Sequence, residues 1–368
     1  MLHIRKATII AWLARDVYEE RRGWGKGQPR KYTDPSIADR IRTLKHQRNT
    51  SRKYFVGGEY VQMDYVKQHG DKDAPSLWFI EQTIRNAGLQ TKRPKKRQKG
   101  GSAYLLYPTQ AIRDLGTIQQ SADFIGKKYI AGQTEPVHIF SSSYYTPFKL
   151  YQIARIPAET ARCAIAECRK LWRRYPIPNV FRIDNGLQFR GTARGKRAIG
   201  MFLRFLLNLG VIPLFGAPSK PWTNPHVEGH NRVFGEKVWG QNHFTSLAQI
   251  DRECARFNQE SIDLFDFRYA NALRPDETRY LEPQQRTRMD RLLSVRGKSI
   301  YFTRFVESFE EEHGAHVIIL NESVTLPEKY NHQFVFVEWN LEKEQLNIYS
   351  ENQKILSLIK CIRFRINL

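Results

Sequence analysis

Asp123, Asp184 and Glu228 are three acids placed where regular segments meet loops, and together they could grip a cation. Asp123 lies in the strand-like run "QQSADFIGKKYI". Asp184 closes the short strand "NVFRID" and is followed by the turn pair Asn185-Gly186, which leaves its carboxylate at the strand end. Glu228 stands in "NPHVEGHN", where Asn224 is the natural cap and Pro225 the first helical residue, so the acid sits about one turn in, near the positive end of the helix dipole. If the first and fourth strands are neighbours, Asp123 and Asp184 lie side by side and the helix brings Glu228 across from them. Like charges held that close need a cation, and oxygen-only ligands favour a hard ion: Mg²⁺, with Mn²⁺ as the alternative. Two such ions about 3.5–4 Å apart clamp the attacking and leaving oxygens of an in-line phosphoryl displacement. Singly, each acid reads as an ordinary surface acid, turn former or helix-start charge; the specificity lies in their order on this strand and helix pattern.

The elements that must hold these residues belong to a long, basic, foldable chain. Its 368 residues carry 59 Lys+Arg against 37 Asp+Glu, a formal charge of +22, which implies two to four domains and a polyanionic partner. With 41% hydrophobic and 12% aromatic residues there is enough apolar material for several cores, so the charge does not signify global disorder. Apolar runs such as "ATIIAWLA" fall far short of the roughly 20 residues that cross a bilayer, and the N-terminus has no signal-peptide pattern, so a soluble protein of the cell interior with no membrane partner is expected. Cys163, Cys168, Cys254 and Cys361 form no C-x-x-C pair, which supports neither a disulfide framework nor a cysteine zinc site.

The charge is front-loaded: residues 1–100 carry a net +13 and residues 301–368 a net −3. Its densest piece, "KRPKKRQKGG", puts Lys92, Arg93, Lys95, Lys96, Arg97 and Lys99 in a solvated linker suited to phosphate contact. Ahead of it the pattern is helical in two parts, an N-terminal helical or helix-turn-helix element over 1–31 and a second helix-turn-helix DNA-binding domain over 32–91, with 75–87 as its recognition helix ending at Gly88. The basic linker runs over 92–112. Residues 113–270 then read as β-β-β-α-β-α-β-α, a mixed α/β sheet flanked by helices. A basic connector spans 271–298, and 299–368 alternates apolar and polar residues in short runs ("SIYFTRFV", "HVIILN", "QFVFVEWN", "LNIYS", "KILSLIK") as a small all-β barrel of SH3-like type.

The middle segment resembles the D,D,E transposases and integrases, whose catalytic core has the ribonuclease H-like fold, close to bacterial insertion-sequence transposases and the retroviral integrase core, and without the His/Cys zinc module of the retroviral branch it looks bacterial in type. The residues that carry the resemblance are "SADFIGKKYI" around Asp123, "PVHIFSSSYY" as the following strand, "IPNVFRIDNGLQFRG" around Asp184 and "NPHVEGHNRVF" around Glu228, over about residues 113–268. It implies a mixed five-stranded sheet, Asp123, Asp184 and Glu228 as catalytic residues and metal ligands for two Mg²⁺ ions, cutting at transposon ends by metal-activated water, and joining by attack of a 3′-hydroxyl on target DNA. Sixty residues separate the first two acids, as is ordinary in the family, but 43 separate the second pair, a longer interval attributed to an insertion near "GTARGKRAIG". The basic residue often found two turns after the Glu is replaced by Gly235, with Arg232 and Lys237 the nearest substitutes.

Among the remaining candidates, Lys220 is placed to meet phosphate, and Arg232, four residues after Glu228, serves either DNA or a structural ion pair. His226 and His230 flank Glu228 but are assigned to packing or DNA contact rather than to metal, Trp222 to loop packing. Asp64 in "YVQMDYV" competes for the role of first acid; the basic linker between it and Asp184 argues against it, and an exposed helical acid is expected instead. The partners expected are double-stranded DNA, both transposon ends and target, a second or fourth copy of the chain, and an ATPase helper; in a bacterial host the location is the cytoplasm, at the nucleoid. A catalytically silent transposon-derived DNA-binding protein, or another ribonuclease H-like nuclease, are the alternatives.

Overall fold

The computed structural model describes residues 32, 34–51, 53–72, 74–90, 107–191, 198–220, 223–269, 273, 278–282, 294–308, 315–320, 322–349 and 355–359. The segment 1–31, the cations Lys92 to Lys99, Trp222, Cys361 and most of the 271–298 connector lie outside them.

Three helices come first: α1 (Pro35–Thr50), α2 (Gly58–His69) and α3 (Leu77–Asn86). Asp34 caps α1, with Pro35 opening it, and Ser76 caps α3 by accepting from the Phe79 amide at 3.3 Å. The chain leaves α3 through Gly88 at φ +68°, a conformation open to glycine without strain. Ile41, Leu44, Val61, Tyr65, Ile80 and Ile84 form a core where the helices meet. Asp64 is not the solvated acid expected from its position: the guanidinium of buried Arg48 grips both its oxygens, one at 2.8 Å.

After α4 (Thr109–Asp114) come β1 (Gln119–Tyr129), β2 (Pro136–Thr146), β3 (Leu150–Ile156), α5 (Ala161–Trp172), β4 (Val180–Ile183), the single turn α6 (Leu187–Arg190), α7 (Met201–Asn208), β5 (Ile212–Phe215), α8 (Pro225–Val233), a π-helical turn (Phe234–Trp239) and the long α9 (Leu247–Arg268). This is the β-β-β-α-β-α-β-α order expected, with β1 to β3 antiparallel and β4 and β5 parallel to β1. Alternation along β1 sends Ala122 and Phe124 to one face, against Trp172 of α5 and Phe202 and Phe205 of α7, and Asp123 and Ile125 to the other, under α8 and α9.

The C-terminal third departs from expectation. The runs predicted as strands are strands: β6 (Ser299–Phe305), β8 (Ala315–Ile319), β10 (Phe334–Asn340), β11 (Gln345–Tyr349) and β12 (Ile355–Ile359), with β7 (Glu307–Ser308) and β9 (Glu322–Leu326) besides. Among the described residues they close no barrel. β6 instead pairs in parallel with β5, and β10, β11 and β12 follow antiparallel, so that the expected five strands are part of a nine-stranded sheet of order β12-β11-β10-β6-β5-β4-β1-β2-β3. β7, β8 and β9 form a separate three-stranded sheet. Period-2 alternation marks a strand with one buried face but does not name its partner, and β5 offered an edge whose pairing removes a row of open backbone groups. Among the described residues no helix is long and apolar enough to cross a membrane.

The helical unit is seated on the α/β core. Tyr54 and Phe55, between α1 and α2, pack with Phe257 of α9 and Tyr151 of β3. The buried Glu260 carboxylate accepts from the Tyr54 and Phe55 amides at 3.1–3.2 Å. Glu260→Ala leaves two buried donors unpaired, which costs about 1–3 kcal/mol each. Hydrogen exchange at Tyr54 and Phe55 is therefore expected to quicken by about tenfold or more, the equivalent of 1.4 kcal/mol, while exchange in the sheet is unchanged. Equal rates in wild type and variant overturn the seating role of Glu260.

Candidate active site

Asp123 on β1 faces Ser141 across the antiparallel ladder to β2. On its other side β1 pairs with β4 in the register Ser121↔Arg182. Carried on by two residues, that register sets Asp123 level with Asp184, on the same face and one strand spacing away, about 4.8 Å. Asp184 is the first residue beyond β4, and the Gly186 amide donates to its Oδ1 at 3.0 Å across the turn. The expected neighbourhood of the first and fourth strands is thus present.

Helix α8 opens at Pro225 with Asn224 in the cap position, as the sequence suggested, and lies across β1 and β2. Glu228 occupies its first turn. Three residues on, Asn231 shares that face and donates from Nδ2 to Asp123 Oδ2 at 3.0 Å. One residue earlier His230, buried, meets Ser141 Oγ at 3.0 Å through Nδ1 and stacks on Tyr151 and Phe257. Burial pushes the His230 imidazole down to about 3, so it is a neutral packing group.

The charges of Asp184 and Glu228 are felt at Asp123. Burial, then Asp184, then Glu228 push the Asp123 carboxyl up to about 7, against the opposing bonds from the Phe124 amide and Asn231. Burial and the charge of Glu159 raise Asp184, against the Gly186 amide. Among the described residues no three His, Cys, Asp or Glu side chains are gathered tightly enough to chelate one ion. The donor set itself suits a hard divalent cation: it is all oxygen, and the repulsion that lifts Asp123 is what such a charge relieves.

The turn after Asp184 is held from the C-terminal strand. Arg304 of β6, buried, donates to the Gly216 carbonyl at 3.0 Å, to the Thr303 carbonyl at 2.9 Å and to Asn185 Oδ1 at 3.1 Å. Asn185 Nδ2 donates to the same Gly216 carbonyl at 2.8 Å. Burial and nearby Arg190 bring the Arg304 guanidinium down to about 9. Neither Arg304 nor Asn231 is singled out by the sequence. Asn231 carries a usable signal, one helical turn beyond Glu228; Arg304, in the alternating run "SIYFTRFV", carries none until β6 is known to join β5.

The basic candidates go elsewhere. Arg232 pairs with Glu236 at 3.8 Å on the exposed side of the helix. Lys237, on the π-helical turn, lines with Lys53 and Arg256 a cleft beneath the α1–α2 connection, toward the helical unit rather than the acids. The Lys220 ammonium lies 4.5 Å from the Phe305 ring centre. His226 stacks flat on Tyr145, centroids 4.2 Å apart and planes 3° from parallel.

No protein-family model matches the chain, and no curated protein does. Among solved structures it is similar to a chain of the cryo-electron-microscopy structure of the simian T-cell lymphotropic virus intasome in complex with PP2A regulatory subunit B56 gamma, at 11% identity and a TM-score of 0.31, over 78% of this chain and 96% of that one.

Proposed function

We propose that this chain is a DNA transposase of the D,D,E type, built on a ribonuclease H-like core, that cuts element ends and joins them to target DNA. The observation that carries the reading is the β1–β4 register, which sets Asp123 level with Asp184 one strand away; the charges of Asp184 and Glu228, after burial, add to the rise of the Asp123 carboxyl. The strand order β3-β2-β1-β4-β5 within the sheet, with the acids on β1, just past β4 and on α8, supports it.

Asp123, Asp184 and Glu228 would hold two Mg²⁺ ions, or Mn²⁺, which when bound supply activation of the attacking oxygen and neutralisation of the leaving one. The chain's own contribution is placement. Asn231 orients one Asp123 oxygen, the Gly186 amide fixes one Asp184 oxygen, and Arg304 with Asn185 anchors the turn after Asp184. A net charge of +22 and the cations of Lys92 to Lys99 supply the attraction for DNA backbone. The unit α1–α3 reads as the helix-turn-helix that docks on element ends, its third helix presenting Trp78 at 64% exposure. Two ends and one target require at least two active sites, so a dimer or tetramer is expected on DNA.

The test is a strand-transfer assay with candidate end duplexes and Mg²⁺, run beside Asp184→Asn. Metal-dependent joined product that falls by about 10³-fold or more in the variant is expected, the scale of removing one member of a catalytic unit. Product that is undiminished in the variant overturns the site.

A further inference from the structure

Beside the acids, and on the same face of the sheet, lies a cleft of about 680 Å³ bordered by Tyr107, Arg113, Gln119, Tyr145, Arg182 and His226. Its cations have no carboxylate beside them in the lining. Arg182, in register with Ser121, sits two residues before Asp184 on β4, about 7 Å along the strand. It is 4% exposed, its Nη2 donates to the Tyr107 hydroxyl, and its Nε has no partner. A cation buried with no carboxylate in ion-pair contact among the described residues is costly unless an anion completes it. A second feature points the same way. Pro225 and His226, at the start of nine-residue α8, border the same cleft, and the cap residue Asn224 makes no side-chain bond to the helix, so the positive end of the dipole is open there. The Tyr145–His226 pair adds a flat aromatic surface. The volume exceeds what one phosphate fills and lies in the range of small-molecule sites.

We propose that this cleft binds one nucleotide unit of a DNA strand, its phosphate against Arg182 and the start of α8 and its base against the Tyr145–His226 ring pair. The choice of a nucleotide rests on the reading of the acids as a phosphodiester site. The adjoining phosphodiester of the same strand is then delivered to Asp184, which makes the cleft a register stop for the strand being cut or joined.

The full chain is titrated calorimetrically with 2′-deoxyadenosine 5′-monophosphate, with 2′-deoxyadenosine and with inorganic phosphate. The monophosphate is expected to bind about tenfold or more tightly than either fragment, and Arg182→Gln to weaken it by about tenfold, 1.4 kcal/mol. His226→Ala, an exposed rim change that leaves the fold intact, is expected to weaken the monophosphate about fivefold or more without altering inorganic phosphate binding, a loss on the scale of one base–aromatic contact. No binding of the monophosphate, binding equal to that of either fragment, or binding unchanged in His226→Ala overturns the proposal, even where Arg182→Gln fails to fold. Monophosphate binding absent while strand transfer is intact and sensitive to Asp184→Asn removes the cleft alone. Binding intact while strand transfer ignores Asp184→Asn removes the reading of the acids alone.

Discussion

Asp123→Asn is expected to abolish strand transfer, by about 10³-fold or more, and in the same stroke to make the metal-free protein more stable above pH 7. The two effects have one cause. The Asp123 carboxyl is pushed up to about 7 in the folded chain because burial and its neighbours Asp184 and Glu228 disfavour its charge, whereas the unfolded chain leaves it near the ordinary value of 3.8. Between those values the folded state holds more protons than the unfolded one, so stability falls as pH rises through about 4 to 7, and the penalty is complete above 7. Asparagine keeps the shape and still offers an oxygen to Asn231, but has no charge to bury. Melting in chelator should show the variant and wild type alike near pH 4 and the variant higher at pH 8, by about 1–2 °C for each kcal/mol relieved in a chain of this length. Equal melting at pH 8 would show that the three acids do not oppress one another and would remove the central electrostatic argument.

A second large loss is expected at a residue that touches neither acid. Arg304→Ala deprives the Thr303 carbonyl and the Asn185 amide oxygen of the guanidinium in a buried setting, each at about 1–3 kcal/mol where no other donor replaces it, and leaves the Gly216 carbonyl with Asn185 Nδ2 alone. The outcome expected is a fall in melting temperature together with a fall in strand-transfer rate larger than the fall in DNA binding, because the turn that presents Asp184 loses its anchor. Arg304→Met restores side-chain volume without the donors. Rate recovery in that variant would show that packing, not the hydrogen bonds, supports the turn.

The legibility of the molecule in its sequence follows the range of the interactions. Strands β1 to β5 and the start of α8 at Pro225 could be read because alternation, the Asn-Gly turn and the Asn-Pro cap are local signals. The side-by-side placement of Asp123 and Asp184 needed only one assumption, that the first and fourth strands pair. What escaped was long-range. The alternating run of β6 gave no hint that it would lie beside β5, so a closed barrel was expected where the sheet continues, and nothing singled out Arg304. Glu260, on a long amphipathic helix, is indistinguishable by type from its solvated neighbours until the helical unit is seen to bring two amides to it. Asp64 failed as a solvated acid for a similar reason, since its partner Arg48 lies on another helix.

The pairing of β6 with β5 also bears on how the chain comes to be made. About 80 residues separate the end of β5 at Phe215 from the start of β6 at Ser299, so during synthesis the five strands β1 to β5 are in place with the β5 flank still bare. Until the ribosome delivers Ser299–Phe305, that flank can recruit any extended polypeptide at hand, including the same flank on a sister nascent chain. The segment that finally covers it also brings Arg304, so closure of the flank and anchoring of the Asp184 turn arrive in one late folding event.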